Sequence, residues 1–230
     1  MCGRFTRNYT WEEIHAYYNL FSSAAIPNLQ PNFNVCPTTQ VDVIIPRFGQ
    51  RELGRMRWWL IPKTWNKSLK EFKYTTFNAR AETVATSRFF ARPFKDCRCL
   101  MPVSGYYEWH RPEGPKGPAQ PYYFTRADGQ VMTIAAIWDE WTDKATDEKI
   151  KACAMVITEP NKFVAEVHDR MPVILERKDF KQWERGNAND AAALMKPADE
   201  DVLQKWPVSM RVNSSRTDGD DATLIERMAL

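Results

Sequence analysis

Residues 111–121, Arg-Pro-Glu-Gly-Pro-Lys-Gly-Pro-Ala-Gln-Pro, constrain the fold of this 230-residue chain more than any other segment. Each of its four prolines fixes φ and lacks a backbone donor, so the segment is neither helix nor central strand. Aromatic runs flank it, Tyr106 to Trp109 before and Tyr122 to Thr125 after. Two β-prone runs on either side of a breaker predict a long hairpin with its tip at 111–121.

The same reading extends along the chain. Strands are expected at Val41 to Pro46, Met56 to Ile61, Cys99 to Val103, Val131 to Trp138 and Ile150 to Thr158, with extended chain at Val173 to Leu175. Thr10 with Glu13 makes a capping box ahead of a helix over 11–21. Shorter helices are expected over 81–90, 163–167, 178–185 and 190–195. No internal repeat or long linker interrupts this mixture, and most connections are of hairpin length. The pattern predicts a single α+β domain around an antiparallel sheet with flanking helices. That domain is expected to span 1–216, with 217–230 (Thr-Asp-Gly-Asp-Asp onward) a mobile tail.

Nine Trp and 43% hydrophobic residues supply a substantial core, and a domain of this size buries roughly 70% of its unfolded-chain surface. No apolar run approaches the ~20 residues of a membrane span, and Met-Cys-Gly-Arg-Phe is not a signal-peptide start. The expectation is a soluble, cytoplasmic protein. Five scattered cysteines do not suggest a disulfide framework. Cys97 and Cys99 lack the C-x-x-C spacing of a zinc or redox site; on a strand they would share a face as small buried apolar groups.

Net charge is only +3, but residues 1–120 carry 17 Lys and Arg against 9 Asp and Glu. The excess peaks between Arg47 and Arg98, where 13 positive residues meet 4 negative ones. Such a stretch suits a polyanion-binding face, or equally a solvated surface balanced elsewhere.

Cys2 is the residue with the most reactive potential. A small residue at position 2 favours loss of Met1, which would place an α-amine and a thiol on one residue. A 1,2-aminothiol condenses with an aldehyde to an imine, and the thiol then closes a thiazolidine ring. An α-amine ordinarily titrates at ~7.7–8.0 and a cysteine thiol at ~8.5, so both nucleophiles are expected to be partly available near neutrality. Three further segments carry chemistry. Residues 76–83 (Thr-Phe-Asn-Ala-Arg-Ala-Glu-Thr) bring an amide, a guanidinium and a carboxylate together. Residues 102–109 (Pro-Val-Ser-Gly-Tyr-Tyr-Glu-Trp) set Glu108 among aromatics, where desolvation suits acid/base work. Residues 167–175 hold His168, one of three histidines. Each has an ordinary alternative: Asn78 as a turn cap, Glu108 paired with an arginine, His168 as a satisfied core residue.

Taken in order, Met1-Cys-Gly-Arg-Phe5, Phe33-Asn-Val-Cys-Pro37, residues 77–83, Ser104-Gly-Tyr-Tyr-Glu-Trp109 and His168-Asp-Arg-Met-Pro-Val173 closely resemble the SOS-response-associated peptidase (SRAP) family, from Met1 to about Asn213. The resemblance implies a partly barrel-like sheet and a covalent sensor of abasic sites in single-stranded DNA, including single/double-strand junctions. It would act as a monomer in the DNA-damage (SOS) response, on the nucleoid in a bacterium, with no metal or other cofactor. It implies Cys2 as nucleophile, Glu108 as the acid/base beside its amine, and Asn78 orienting Cys2 and the sugar. His168 would protonate the deoxyribose ring oxygen and assist imine formation or reversal. Arg4, Arg80, Arg88 and Arg170 would hold phosphates, Thr158 would make a backbone contact, and Asn34 and Pro37 fall in a matched DNA-contacting stretch. Trp65 stands where the family has base-stacking aromatics, although this chain has one Trp in Pro-Lys-Thr-Trp-Asn and a longer insertion after it. Cys36 stands where a small apolar residue is more usual. The alternatives are a cysteine peptidase of the N-terminal-nucleophile type, which could remove Met1 itself, and a non-covalent binder of modified or single-stranded DNA.

Overall fold

The computed structural model describes residues 2–21, 27–112 and 119–229. Among them lie the strands β1 (Phe5–Arg7), β2 (Asn32–Val35), β3 (Gln40–Arg47), β4 (Gln50–Trp58), β5 (Asn78–Arg80) and β6 (Arg98–Val103). The later strands are β7 (Gly105–His110), β8 (Gln120–Arg126), β9 (Met132–Thr142), β10 (Lys149–Thr158), β11 (Met171–Pro172) and β12 (Leu203–Pro207). The expected hairpin forms: β7 and β8 pair antiparallel from Tyr106↔Phe124 to His110↔Gln120. Residues 113–118 of its tip lie outside the described residues. The β3–β4 hairpin turns through Phe48 and Gly49 at φ 45° and 87°, the left-handed pair that a two-residue turn matches to strand twist.

Strands β4, β3, β6, β9 and β10 are neighbours in that order, and β10 pairs with both β9 and β4, closing a five-stranded barrel. The barrel is not wholly antiparallel, since β10 runs parallel to β4 and to the short β5. A second, antiparallel sheet, β12-β8-β7-β1-β2, packs on it. One buried cluster joins the two, with Cys2, Phe5, Tyr106 and Phe124 from the second sheet and its N-terminal lead meeting Val43, Trp58, Met101 and Met155 of the barrel. Each large apolar side chain buried in this way contributes ~1.5–3 kcal/mol.

Helices α1 (Trp11–Tyr18), α2 (Ala91–Asp96), α3 (Lys162–Ala165), α4 (Phe180–Arg185) and α5 (Ala188–Ala192) flank the sheets. Ile14 and Tyr18 of α1 and Phe180 and Trp183 of α4 fill a second cluster against the barrel. The capping box is made: Glu13 N donates to Thr10 Oγ1 at 3.2 Å and Thr10 N to Glu13 Oε2 at 2.7 Å. The helix ends before the expected Phe21 because Asn19 adopts a left-handed cap (φ 51°).

Three expectations are corrected. Residues 81–90 form successive turns and the helix starts at Ala91; Thr86 Oγ1 donates to Thr83 O and Ser87 Oγ accepts from Phe89 N, local bonds that compete with helix. Cys97 caps α2 and only Cys99 is on a strand, so the two do not share a sheet face. The residues after 216 are not a free tail. Leu224 is fully buried with Phe33, Tyr107 and Tyr123, Trp206 Nε1 donates to Ile225 O at 2.8 Å, and Met228 N donates to Pro207 O at 2.9 Å. Asp218, Asp220 and Asp221 hid the apolar anchor Leu224 that follows them.

Candidate active site around Cys2

Strand pairing builds the site. Phe5 opposes Tyr106 and Tyr107 N donates to Arg4 O at 3.0 Å, so the residues ahead of Arg4 run beside Glu108. Cys2 and Glu108 are each 1% exposed, and the thiol donates to the Glu108 carboxylate. The parallel pairing of β5 with β10 aligns Asn78 with Met155, from where Asn78 Nδ2 donates to Cys2 O at 2.9 Å. Asn78 Oδ1 is buried without a hydrogen-bond partner among the described residues, an acceptor left over at the site.

His168 arrives from a different element. Asn161 caps α3 by accepting from Val164 N at 2.9 Å, and His168 N donates to Val164 O at 3.0 Å, which fixes the turn carrying the ring. Arg170 N donates to His168 Nδ1 at 3.1 Å, placing the neutral ring's proton on Nε2. Nε2 lies 3.6 Å from Glu108 Oε2, an ion-pair distance, while Asp169 Oδ1 lies 3.1 Å from Nδ1. His168 also lines an open cleft of about 790 Å³ shared with Trp109, His110 and Pro160, within the usual size of small-molecule sites.

Electrostatics divide the roles. Burial pushes the Glu108 carboxyl up to about 7 and holds the His168 imidazole below its ordinary value. These opposite shifts bring the carboxyl at least level with the imidazole as a proton carrier, a setting suited to acid/base exchange. Burial, then the Glu108 charge, pushes the Cys2 thiol well above its ordinary value. This corrects the expectation that both nucleophiles of Cys2 are ready together: the thiol rests protonated and must hand its proton on before it attacks.

The remaining expected residues fall into three groups, with Pro37 apart from them. Arg80 is exposed at the end of β5, Thr158 is buried at the end of β10 opposite Met171, and Arg170 lies just ahead of β11. These three share the sheet edge beside His168, where Arg170 is paired with Glu82. Arg88 and Trp65 belong to an aromatic cluster. The Arg88 guanidinium lies 4.9 Å and 4.5 Å from the Tyr74 and Phe89 ring centres, and Trp65 packs edge-on against Phe72 and Tyr74. Arg4 and Asn34 instead secure the C-terminal segment. Arg4 Nη1 donates to Asn34 Oδ1 and, at 2.7 Å, to Val212 O; Asn34 Nδ2 donates to Ser214 O and Thr217 O. Buried with its amide fully engaged, Asn34 is not presented to a ligand in this conformation. Pro37 is half-buried in the turn before Thr38.

The basic stretch 47–98 also resolves into parts. Arg47, Arg51, Arg55 and Arg92 pair with Glu52, Glu184, Asp42 and Asp139, and Arg98 is buried against backbone carbonyls. Lys63, Lys67, Lys70, Lys73, Arg80, Arg88 and Lys95 remain exposed, so the cationic surface is narrower than composition suggests. Sequence reading overlooked Tyr106, buried two residues before Glu108 on the same strand; the alternation of β7 was the available signal. No group of three His, Cys, Asp or Glu side chains among the described residues gathers around a common metal position.

The family model described as SOS response associated peptidase (SRAP) matches residues 1–215. The abasic site processing protein YoqW of Bacillus subtilis is 31% identical over 224 residues, covering 96% of this chain and 98% of the relative. The abasic site processing protein YoaM of the same organism is 32% identical over 219 residues, covering 94% of each. A solved Bacteroides thetaiotaomicron protein superposes with a TM-score of 0.86 at 23% identity, over 99% of this chain and 100% of that one, which shows the shared fold.

Proposed function

From the premise that this chain belongs to the SOS response associated peptidase (SRAP) family, we propose that it processes abasic sites in DNA by capturing the ring-opened sugar covalently on Cys2. The observation that carries this reading is that Asn78 and Glu108 engage the buried Cys2 while His168 stands against Glu108, the three coming from separate elements. Relatives named as abasic site processing proteins over nearly their full length support the same substrate.

In this reading Met1 is removed and the Cys2 amine is free. His168, recharged from Glu108, gives a proton to the deoxyribose ring oxygen as the C1′–O4′ bond breaks and the anomeric hydroxyl loses its proton, leaving the aldehyde. The amine attacks C1′, the carbinolamine loses water, and an imine forms. The thiol proton passes to Glu108, sulfur bonds to the imine carbon, and the nitrogen takes the proton to complete the thiazolidine. Asn78 holds the Cys2 carbonyl throughout and keeps the amine in line. Single-stranded DNA, including junctions, runs along the exposed Lys63–Arg88 segment and the Arg80–Arg170 edge, where cations meet phosphate and aromatic faces meet bases.

Denaturing gels after incubation with an abasic single-stranded oligonucleotide test this. Wild-type protein gives a heat-stable shifted band. Cys2→Ser, which keeps the amine, gives a band that survives only borohydride reduction. A Cys2→Ala variant that matches wild type in heat-stable product contradicts the reading.

A second reading, autocatalytic cleavage of the Met1–Cys2 bond, draws on the same groups: Cys2 as nucleophile and Glu108 as base. It is compatible with the first, since it would release the reactive amine. Met1 retained in Glu108→Gln but lost from wild type, both made without aminopeptidase, would support it.

A further inference from the structure

The Tyr106 hydroxyl is a polar group for which the resting protein supplies no partner among the described residues. Tyr106 lies on β7 two residues before Glu108, so the two side chains leave the same face of the strand. It is 1% exposed and belongs to the buried cluster that contains Cys2 and Phe5. Its ring stacks on Phe124, with centres 5.0 Å apart and planes within 8°. Packing therefore fixes where the hydroxyl sits, and burial denies it bulk water. A buried hydroxyl left in this state is destabilising, and a phenyl ring would fill the same space without the penalty. The ionisable groups that act on it, when charged, are the Cys2 sulfur and the Glu108 carboxylate.

The chemistry at Cys2 creates a need for a donor at this place. When the thiol gives its proton to Glu108, negative charge develops on a sulfur that is buried among apolar side chains. Such a charge forms readily only beside a preorganised hydrogen-bond donor. Burial keeps the phenol itself protonated, so it remains a donor throughout.

We propose that Tyr106 is a positioning residue whose O–H is held for the Cys2 sulfur, engaging it only while the thiol proton is on Glu108. This inference rests on the abasic-site reading and assigns the donor for its second half. During ring closure the S–H bond breaks with its proton going to Glu108, and the C–S bond forms from a sulfur lone pair. The C=N π pair becomes a nitrogen lone pair, which accepts the proton from Glu108. Ring opening reverses each of these transfers, and nothing is oxidised or reduced. Tyr106 keeps its proton in both directions and acts only through the sulfur.

The test compares wild-type protein and Tyr106→Phe, both confirmed by intact mass to begin at Cys2, on a single-stranded oligonucleotide with one abasic site. Borohydride trapping follows the imine, and borohydride-free heat-stable product follows ring closure. The expected result is an imine rate within about twofold of wild type and ring closure slowed about tenfold or more. Release of DNA from the preformed adduct slows likewise, and the thermal midpoint is unchanged or higher. Equal closure rates overturn the inference. A parallel slowing of both phases with a lower midpoint also overturns it, since that is the signature of a packing role. Wild-type protein that forms neither product overturns the abasic-site reading, and this inference with it.

Discussion

Of the carboxylates buried among the described residues, Asp42 and Glu108 have surroundings that could hardly differ more. Asp42, 2% exposed on β3, is met by Arg7 at 3.4 Å, Arg55 at 3.3 Å and the Tyr9 hydroxyl at 3.2 Å. Glu108, 1% exposed on β7, meets a thiol and an imidazole. Guanidinium and phenol partners tie the Asp42 carboxylate into the fold. Burial beside groups that themselves gain and lose protons leaves Glu108 poised near neutrality, the state the proposed chemistry needs. Burial alone does not distinguish the two; the identity of the partners does.

That contrast can be broken by exchanging its readouts. The largest expected effect is on capture: Glu108→Gln slows formation of the heat-stable adduct by about 100-fold or more, measured on denaturing gels. Asp42→Ala is expected to leave capture within about threefold, yet to lower stability by roughly 3 kcal/mol, because the buried ion pair with Arg7 is broken and Tyr9 loses one of its two acceptors; denaturant unfolding checks this.

The stability of Glu108→Gln sharpens the comparison from the other side. Its folded-state value, about 7, lies above the unfolded one, so the contribution of the neutral carboxyl to stability is full below roughly pH 4.5 and is lost as pH rises through 7. Wild type should therefore lose up to about 3 kcal/mol across that window that Glu108→Gln does not lose, read as a difference in thermal midpoints between pH 5 and pH 8. The smallest expected effect concerns neither carboxylate. Arg80→Ala, exposed at the sheet edge, should reduce capture by about five- to tenfold at physiological salt and flatten its salt dependence, with stability unchanged.

The candidate site was more legible in the sequence than the architecture that assembles it. Cys2, Asn78, Glu108 and His168 stood in short motifs whose residue types suggest acid/base and nucleophilic work, and the structure brings all four together. The hairpin around 111–121 and the capping box at Thr10 were readable because proline and capping chemistry act locally. What stayed hidden depends on long-range partners. Strand β5 is three residues long and exists through its parallel pairing with β10. Arg98 counts as surface charge in a composition but is buried against carbonyls. Asn34, read as a DNA contact, anchors the C-terminal segment 180 residues away in the chain. The height of the thiol's pKa follows from desolvation, which no motif reports.

The most direct test of the central claim is the intact mass of the protein after incubation with an abasic single-stranded oligonucleotide. The expected species lacks Met1 and has gained the oligonucleotide less one water, which is the balance for condensation at the Cys2 amine followed by thiol addition. Protein that retains Met1 should stay unmodified in the same sample. An adduct of equal yield on the Met1-bearing form, or none on protein shown to begin at Cys2, would contradict the account.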